Sequence, residues 1–359
     1  MAVKKSKVKK GILKNAASKT KVKLPKTKTL TKDTDKEKKK KVKKIHPADF
    51  LFIVNPFAGA GKSQKKWPEI ENKILKMFDH IEVIITTKRG EATEISRNGI
   101  LRGIKCIVAV GGDGTISEVA SGFFNEKGKL LKKPGPNSPV LGIIATGSGS
   151  DLIKTLKIPR KIDEVLKLLA EQKTGIIDMG LVKFKNFQGK NQTRPFINVA
   201  DIGIGGEVIE ILEKQGKGIF PAVSYYLATL KGLIRYKNKH VQITIDKKRN
   251  LSGEYNAVIV ANAKFFGGGM MIAPNADPHD GFFDVVMIHG MNKREMLTSF
   301  SKIRSGKHIF HDKVDVVRAR HIRVDSKERA LLDLDGELPG ECPVEFLMVP
   351  KAISVIQVV

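Results

Sequence analysis

Three apolar runs, residues 50–54, 104–110 and 140–144, each stop at a glycine-rich turn and hand over to a segment with helical spacing. That repetition leaves few folds open. Strands joined through helices return parallel, so the first half of the chain is expected to be doubly wound, mostly parallel α/β, with its three turns along one carboxyl edge. The sharpest turn is Gly111, Gly112, Asp113 and Gly114, ahead of a helix expected over 116–124. Bare backbone N–H groups and the positive end of a helix make such a turn an anion site, and phosphate is the commonest anion. A carboxylate there would repel phosphate unless a cation stood between them, so Mg²⁺ is expected at Asp113. A tight turn with an aspartate helix cap accounts for an isolated Gly-Asp-Gly equally well.

The first turn runs from Asn55 through Gly59 and Gly61 to Lys62 and Ser63, and a helix follows with Trp67, Ile70, Ile74 and Phe78 on one face. Its Gly61-Lys62 pair suggests a P-loop, but the glycine that pattern needs five residues earlier is Pro56. The dinucleotide fingerprint fails as well, because none of the three turns has its third glycine. A second strand at 81–86 leads to Thr86, Thr87, Lys88, Arg89 and Gly90, where Arg89 is expected in solvent. The third turn holds Thr146, Gly147, Ser148, Gly149 and Ser150, with Asp151 opening a helix. Backbone from several such turns can hold one nucleotide triphosphate.

Beyond about residue 175 the pattern changes to short, β-branched, often alternating runs, among them 196–200, 344–348 and 353–358, as in an antiparallel sandwich. Two helices interrupt it, one over 221–236 and one over 293–303 capped by Asn292. The first carries Val223, Tyr226, Leu230, Leu233 and Ile234 at helical spacing, which suits a core helix or a greasy entry for an acyl chain. The expected division is a basic tail at 1–47, a nucleotide-binding α/β domain at 48–175 and a β-rich substrate domain at 176–359.

The tail holds 19 lysines against three acids, +16 of the chain's +28. With no apolar periodicity to offset the entropy of ordering, it is expected to stay unstructured. Each lysine near an anionic lipid surface contributes up to about 1 kcal/mol, so the tail is expected to tether the protein there. Nucleic acid would accept the same charges, but no aromatics are interleaved for base stacking. Two distant cysteines, Cys106 and Cys342, fit a reducing compartment, and no apolar run is long enough to span a bilayer. The expected location is cytoplasmic and peripheral to the membrane. A homodimer is compatible with the sequence.

Five motifs in order give the chain a resemblance to the diacylglycerol kinase catalytic family, which includes sphingosine kinases and soluble bacterial lipid kinases. They are Asn55-Pro56 with Gly59 and Gly61; Gly111-Gly112-Asp113-Gly114-Thr115 with Glu118; Gly147-Ser148-Gly149-Ser150-Asp151; Asp280-Gly281 with Asp284; and Asp335-Gly336-Glu337. The resemblance covers residues 48–359 and implies two domains, with ATP on the first and lipid in the cleft between them. It departs from the family pattern at Ser148 and Ser150, which stand where Thr and Asn are usual.

Phosphoryl transfer asks a protein for positioning, charge neutralisation and a group to accept the alcohol proton. Asp335, at the end of an apolar strand and at the position that resembles the family's general base, is the candidate. Glu337 and Asp113 would hold Mg²⁺ and its waters. By resemblance Thr87 touches the nucleotide, Asp280 and Asp284 form a second metal position, and Glu207 meets the lipid head group, with Asp201 as its rival. A hairpin turn explains Asp335-Gly336-Glu337 without catalysis, and an Asp-Gly turn explains Asp280. The expected activity is transfer of the ATP γ-phosphate to a lipid alcohol such as diacylglycerol or a sphingoid base. The alternatives are a kinase of the related NAD class and a lipid- or nucleic-acid-binding protein without catalysis.

Overall fold

The computed structural model describes residues 28–30, 49–215 and 221–358. Its first part alternates as the sequence requires, from β1 (Lys28–Leu30) through β2 (Phe50–Val54), α1 (Lys62–Met77), β3 (Ile81–Ile85), α2 (Glu91–Leu101), β4 (Cys106–Gly111), α3 (Asp113–Ser121), β5 (Val140–Ala145) and α4 (Asp151–Thr155) to α5 (Ile162–Glu171). Strands β3, β2, β4 and β5 lie side by side in that order and pair in parallel. The order reverses at β2, so the turns after β2 and β4 flank the switch point where open α/β sheets bind ligands. Helices cover both faces, which is why Phe50–Val54 and the first five residues of β4 are apolar throughout. Trp67, Ile70 and Ile74 of α1 pack on the sheet as their spacing required.

Lys28–Leu30 falls inside the stretch expected to stay unstructured, yet it pairs antiparallel with β3. The edge of β3 offers unpaired backbone groups, and a short strand can use them. The rest of 1–47, with its expected membrane contact, lies outside the described residues.

The second part is β-rich: β6 (Thr174–Lys185), β7 (Asn191–Phe196), β8 (Val199–Gly203), α6 (Ile204–Gln215), α7 (Pro221–Arg235), β9 (Lys239–Ile245), β10 (Arg249–Ala261), β11 (Phe265–Phe266), β12 (Met270–Met271), β13 (Phe283–His289) and α8 (Lys293–Ile303). A 3₁₀ turn (Lys307–Phe310), β14 (Val314–Ala319), β15 (His321–Ser326), β16 (Leu331–Leu334) and β17 (Glu337–Ile356) complete it. Pairing here is antiparallel, with one exception at the end of the chain. There Ser354 and Val355 of β17 pair in parallel with β5, so one hydrogen-bonded sheet runs from the parallel half into the antiparallel half. The first core accordingly takes in Ile177, Met179, Ile353 and Val355. The second is built on Phe196, Phe283 and Phe346, with Phe196 stacked on Phe283 at 5.6 Å between ring centroids. A third, smaller cluster joins Leu233 and Met296 of the inserted helices to Ile259 and Ile288 of the sheet.

Asn292 caps α8 as expected and makes a full capping box: its side chain accepts from the Arg294 and Glu295 N–H groups, and the Glu295 carboxylate accepts from its own N–H. Several elements differ from the sequence reading. Helices α5 and α6 and strands β6 and β7 were not expected. Residues 344–348 and 353–358 were read as separate strands, but β17 runs through both and only shifts register between Val349 and Ile353. At that irregularity the Lys351 N–H donates to the buried Asp178 carboxylate at 2.6 Å. Finally, the strand expected over 196–200 breaks after Phe196, because the next three N–H groups serve the site described below.

Candidate functional site

The three turns at the carboxyl edge are bound to one another. Asn55 Nδ2 donates to Thr115 Oγ1 at 2.9 Å, linking the first turn to the second. Thr146 Oγ1 donates to Ser63 Oγ at 3.0 Å, linking the third turn to the first. Gly147 packs so closely on Gly112 that a Cβ there would lie 2.6 Å from the Gly112 Cα. Backbone rather than side chain therefore forms this edge.

Asp113 does cap a helix, though not its own. Its Oδ1 accepts from the Asp151 N–H at 2.7 Å and the Leu152 N–H at 3.3 Å, at the start of α4. Burial, and then the neighbouring Asp151, raise its carboxyl above the usual range. Asp151 is tied in turn to Lys154 and to the Gly268 N–H of the opposite half, each at 2.7 Å. Ser150 adopts a left-handed backbone, φ 55°, which Asn enters more easily than Ser. The hydroxyl of Ser150 is turned into the protein, where it donates to the Gly147 carbonyl and accepts from Arg160.

Asp335 faces this edge from the β-rich half. With Gly336 it forms the tip of the hairpin between β16 and β17, both residues at positive φ (51° and 84°), the geometry of a tight two-residue hairpin turn. Its carboxylate accepts four hydrogen bonds: Oδ1 from the N–H groups of Asn198 and Val199, Oδ2 from the Ile197 N–H and from Ser117 Oγ of α3. Those three N–H groups are the ones withdrawn from the broken strand. Burial outweighs the four donors and raises the Asp335 carboxyl above its ordinary range. Asp333, itself buried, accepts from the Gly336 N–H at 2.9 Å and so holds the tip from below.

Asp113, Ser148, Gly149 and Asp151 form one wall of a cleft of about 710 Å³, and Asn198, Asp333, Asp335 and Gly336 form the other. Phe266, Gly268, Leu297 and Phe300 also line it. The two acids most prominent in the sequence thus share one cleft.

Other candidate residues lie elsewhere. Glu337 is held by Arg89 at 2.8 Å and Arg194 at 2.7 Å; burial pushes its carboxyl up, but the two guanidinium groups outweigh this and hold it below the usual range. Arg89 is exposed to solvent as expected, and it also bridges the halves, reaching Glu213 as well as Glu337. The Thr87 N–H and hydroxyl both go to Glu91 at the start of α2, and Glu118 accepts from the Ala92 N–H. Asp280 pairs with Arg318 and accepts from the Phe282 N–H, while Asp284 is buried beside it, away from the cleft. Asp201 accepts from the Gly205 N–H at 2.8 Å, and burial pushes its carboxyl up to about 7. It lines an apolar chamber behind the cleft, whereas Glu207 lines neither space. Ser117, Arg194, Gly268 and Asp333 escaped the sequence reading. The three consecutive glycines at 267–269 were the available signal for one of them.

Among the described residues no three His, Cys, Asp or Glu side chains gather as a metal site. Glu337, with an arginine on each oxygen, does not fit as a ligand. Asp113 does fit Mg²⁺ that arrives on a nucleotide, since this ion keeps several waters and phosphate oxygens and needs only one or two carboxylates.

Residues 49–182 match the diacylglycerol kinase catalytic domain, and residues 199–357 match the YegS C-terminal NAD kinase beta sandwich-like domain. The chain thus carries a diacylglycerol kinase catalytic domain followed by a YegS-type C-terminal domain. The diacylglycerol kinase of Bacillus subtilis is 29% identical over 307 residues, covering 85% of this chain and 94% of that one. The diacylglycerol kinase of Staphylococcus carnosus is 26% identical over 306 residues, covering 84% and 93%. A crystal structure of a diacylglycerol kinase from Bacillus anthracis shares the fold at a TM-score of 0.62 and 22% identity, covering 87% of this chain and 97% of that one. No described helix is long and apolar enough to cross a membrane.

Proposed function

We propose that this chain transfers the γ-phosphate of ATP to the hydroxyl of a lipid alcohol, with Asp335 as the base. The observation that carries this reading is the partly buried Asp335 carboxylate, held by four donors, across one cleft from Asp113 and the glycine turns. The N–H groups of the turns at Asn55–Gly61, Gly111–Gly114 and Gly147–Gly149 would grip the triphosphate. Mg²⁺ on the nucleotide, held through Asp113 and water, would neutralise its charge.

The acceptor hydroxyl gives its proton to Asp335 as its oxygen bonds to the γ-phosphorus; the bond from that phosphorus to the β–γ bridging oxygen breaks, and ADP leaves. A carboxylate with an ordinary pKa is a weak base for an alcohol, and burial of Asp335 makes it stronger. Glu337 positions Arg89 and Arg194 beside the hairpin that carries Asp335. Asp201 is the better placed of the two acids considered for the acceptor, because it alone lines the apolar chamber. The basic tail would attach the enzyme to an anionic bilayer, where such acceptors reside.

The decisive experiment is Asp335→Asn with ³²P-labelled ATP and a panel of lipid alcohols. Transfer should disappear while ATP binding persists; undiminished turnover would remove Asp335 from the mechanism. Phosphorylation of NAD in place of every lipid would establish the alternative class.

A further inference from the structure

Strands β11 and β12 form a hairpin of their own, separate from the main sheet, with Phe265 opposite Met271 and Phe266 opposite Met270. At its tip Gly267, Gly268 and Gly269 all have positive φ (57°, 86° and 107°), backbone that glycine adopts at no steric cost. Phe266, Gly267, Gly268 and Met270 line the cleft. The hairpin belongs to the β-rich half, yet it is fastened to both halves.

At its base it is bonded to the segment that holds Asp335. The Asn262 and Ala263 N–H groups donate to the Asn198 carbonyl at 2.9 and 3.2 Å. Asn262 Nδ2 donates to the Ile197 carbonyl at 2.8 Å, and Asn198 Nδ2 donates to the Phe265 carbonyl at 2.9 Å. Ile197 and Asn198 supply two of the N–H groups on the Asp335 carboxylate. The same hairpin also meets α4 of the first half. The Lys264 N–H donates to Thr155 Oγ1 at 3.1 Å, the Gly268 N–H donates to Asp151 Oδ2 at 2.7 Å, and Lys154 Nζ stands 5.7 Å from the centre of the Phe265 ring. Asp113 caps the start of that helix. A run of hydrogen bonds therefore leads from Asp335 through Asn198, the hairpin and α4 to Asp113.

We propose that this hairpin is a strap that fixes the separation of the two cleft walls, with Asn198 and Thr155 as positioning residues for Asp335. Ser117 braces the Asp335 carboxylate from α3, and the strap braces the backbone donors on its other side. Phosphoryl transfer needs the acceptor oxygen, the γ-phosphorus and the base in one alignment, and a misplacement of about 1 Å can cost roughly a hundredfold in rate. Loosening an anchor of the strap lowers the rate while the glycine turns keep their grip on ATP. The proposal rests on the lipid kinase reading, but half of its test needs no turnover.

Thr155→Val and Asn198→Ala each remove one anchor and leave Asp335, Asp113 and the glycine turns as they are. Steady-state kinetics would use ATP and a lipid alcohol that the wild type phosphorylates. The kcat should fall roughly tenfold in each variant while the KM for ATP stays within about twofold. Amide hydrogen exchange over residues 197–199 would be followed by mass spectrometry on the full-length protein, without nucleotide or lipid. It should become faster in Thr155→Val, although Thr155 lies on the opposite half, because the strap carries the loss across. Thermal unfolding checks that the variants fold, and if Asn198→Ala does not, Thr155→Val decides. Unchanged exchange at 197–199 in Thr155→Val, or an unchanged kcat, would overturn the proposal. Faster exchange in Thr155→Val, with a wild type that phosphorylates no lipid, would leave the strap standing and remove the kinase reading. Full lipid turnover with unmoved exchange would do the reverse.

Discussion

Ser117 Oγ donates to Asp335 Oδ2 at 2.6 Å, a direct contact between the two halves and between residues 218 positions apart. Ser117 follows Asp113 by one helical turn, so the helix that begins at the glycine turn also reaches the opposing acid. This bond helps to stabilise the Asp335 carboxylate against the burial that raises its pKa.

Removing it has a signed consequence for pH dependence. Asp335 must be ionised to take a proton, so turnover should fall as pH drops through its raised pKa. Ser117→Ala deletes a donor to the charged form, lifts that pKa further and moves the acid limb of the kcat profile to higher pH. The pH–rate profiles of the two enzymes check this. An unmoved limb with lowered kcat would assign Ser117 to packing alone.

Asp333 acts through the backbone that presents Asp335. Its Oδ1 holds the Gly336 N–H at 2.9 Å, at a hairpin tip where Asp335 itself sits at positive φ. Asp333→Ala should lower kcat roughly tenfold by loosening that tip, with the KM for ATP little changed. Asp333→Asn keeps an oxygen at this position and should restore most of the rate. Steady-state kinetics on the pair tests it, and equal loss in both variants would refute the positioning role.

Gly147 addresses the nucleotide side. A Cβ there would stand 2.6 Å from the Gly112 Cα, a backbone atom that cannot swing aside. Gly147→Ala should therefore spread the second and third turns and weaken ATP binding by more than tenfold, while the β-rich half stays folded. Calorimetric titration of ATP, with circular dichroism as the folding control, measures it. Wild-type affinity would show that these turns do not hold the nucleotide.

What the sequence made legible follows from what is local. Strand-to-helix turns, the buried runs of β2 and β4 and the Asn292 cap are written in neighbouring residues. Asp335 could be singled out because Asp-Gly after an apolar strand is a local pattern. Its partners could not, because Ser117 lies in a helix, Asn198 and Val199 in a presumed strand, and only tertiary folding turns them toward one carboxylate. Glu337 shows the reverse failure: an acid two residues from Asp335 reads as a metal ligand until Arg89 and Arg194, remote in sequence, occupy both its oxygens. Long-range ion pairs leave no spacing to read.

The lysine-rich tail offers the last test. On the proposed membrane attachment its 19 lysines would contribute as summed charge, so their effect should depend on salt and on anionic lipid but not on chemistry at Asp335. Deleting residues 1–45 also removes Lys28–Leu30, which adds only an edge strand to β3, so the cleft should be untouched. Turnover of detergent-dispersed lipid should stay unchanged, while sedimentation with anionic vesicles weakens and the difference shrinks as salt rises. At about 0.15 M salt the screening length is still about 8 Å, enough for a chain lying on the bilayer to be held. Equal vesicle binding with and without the tail under those conditions would show that the body alone meets the membrane.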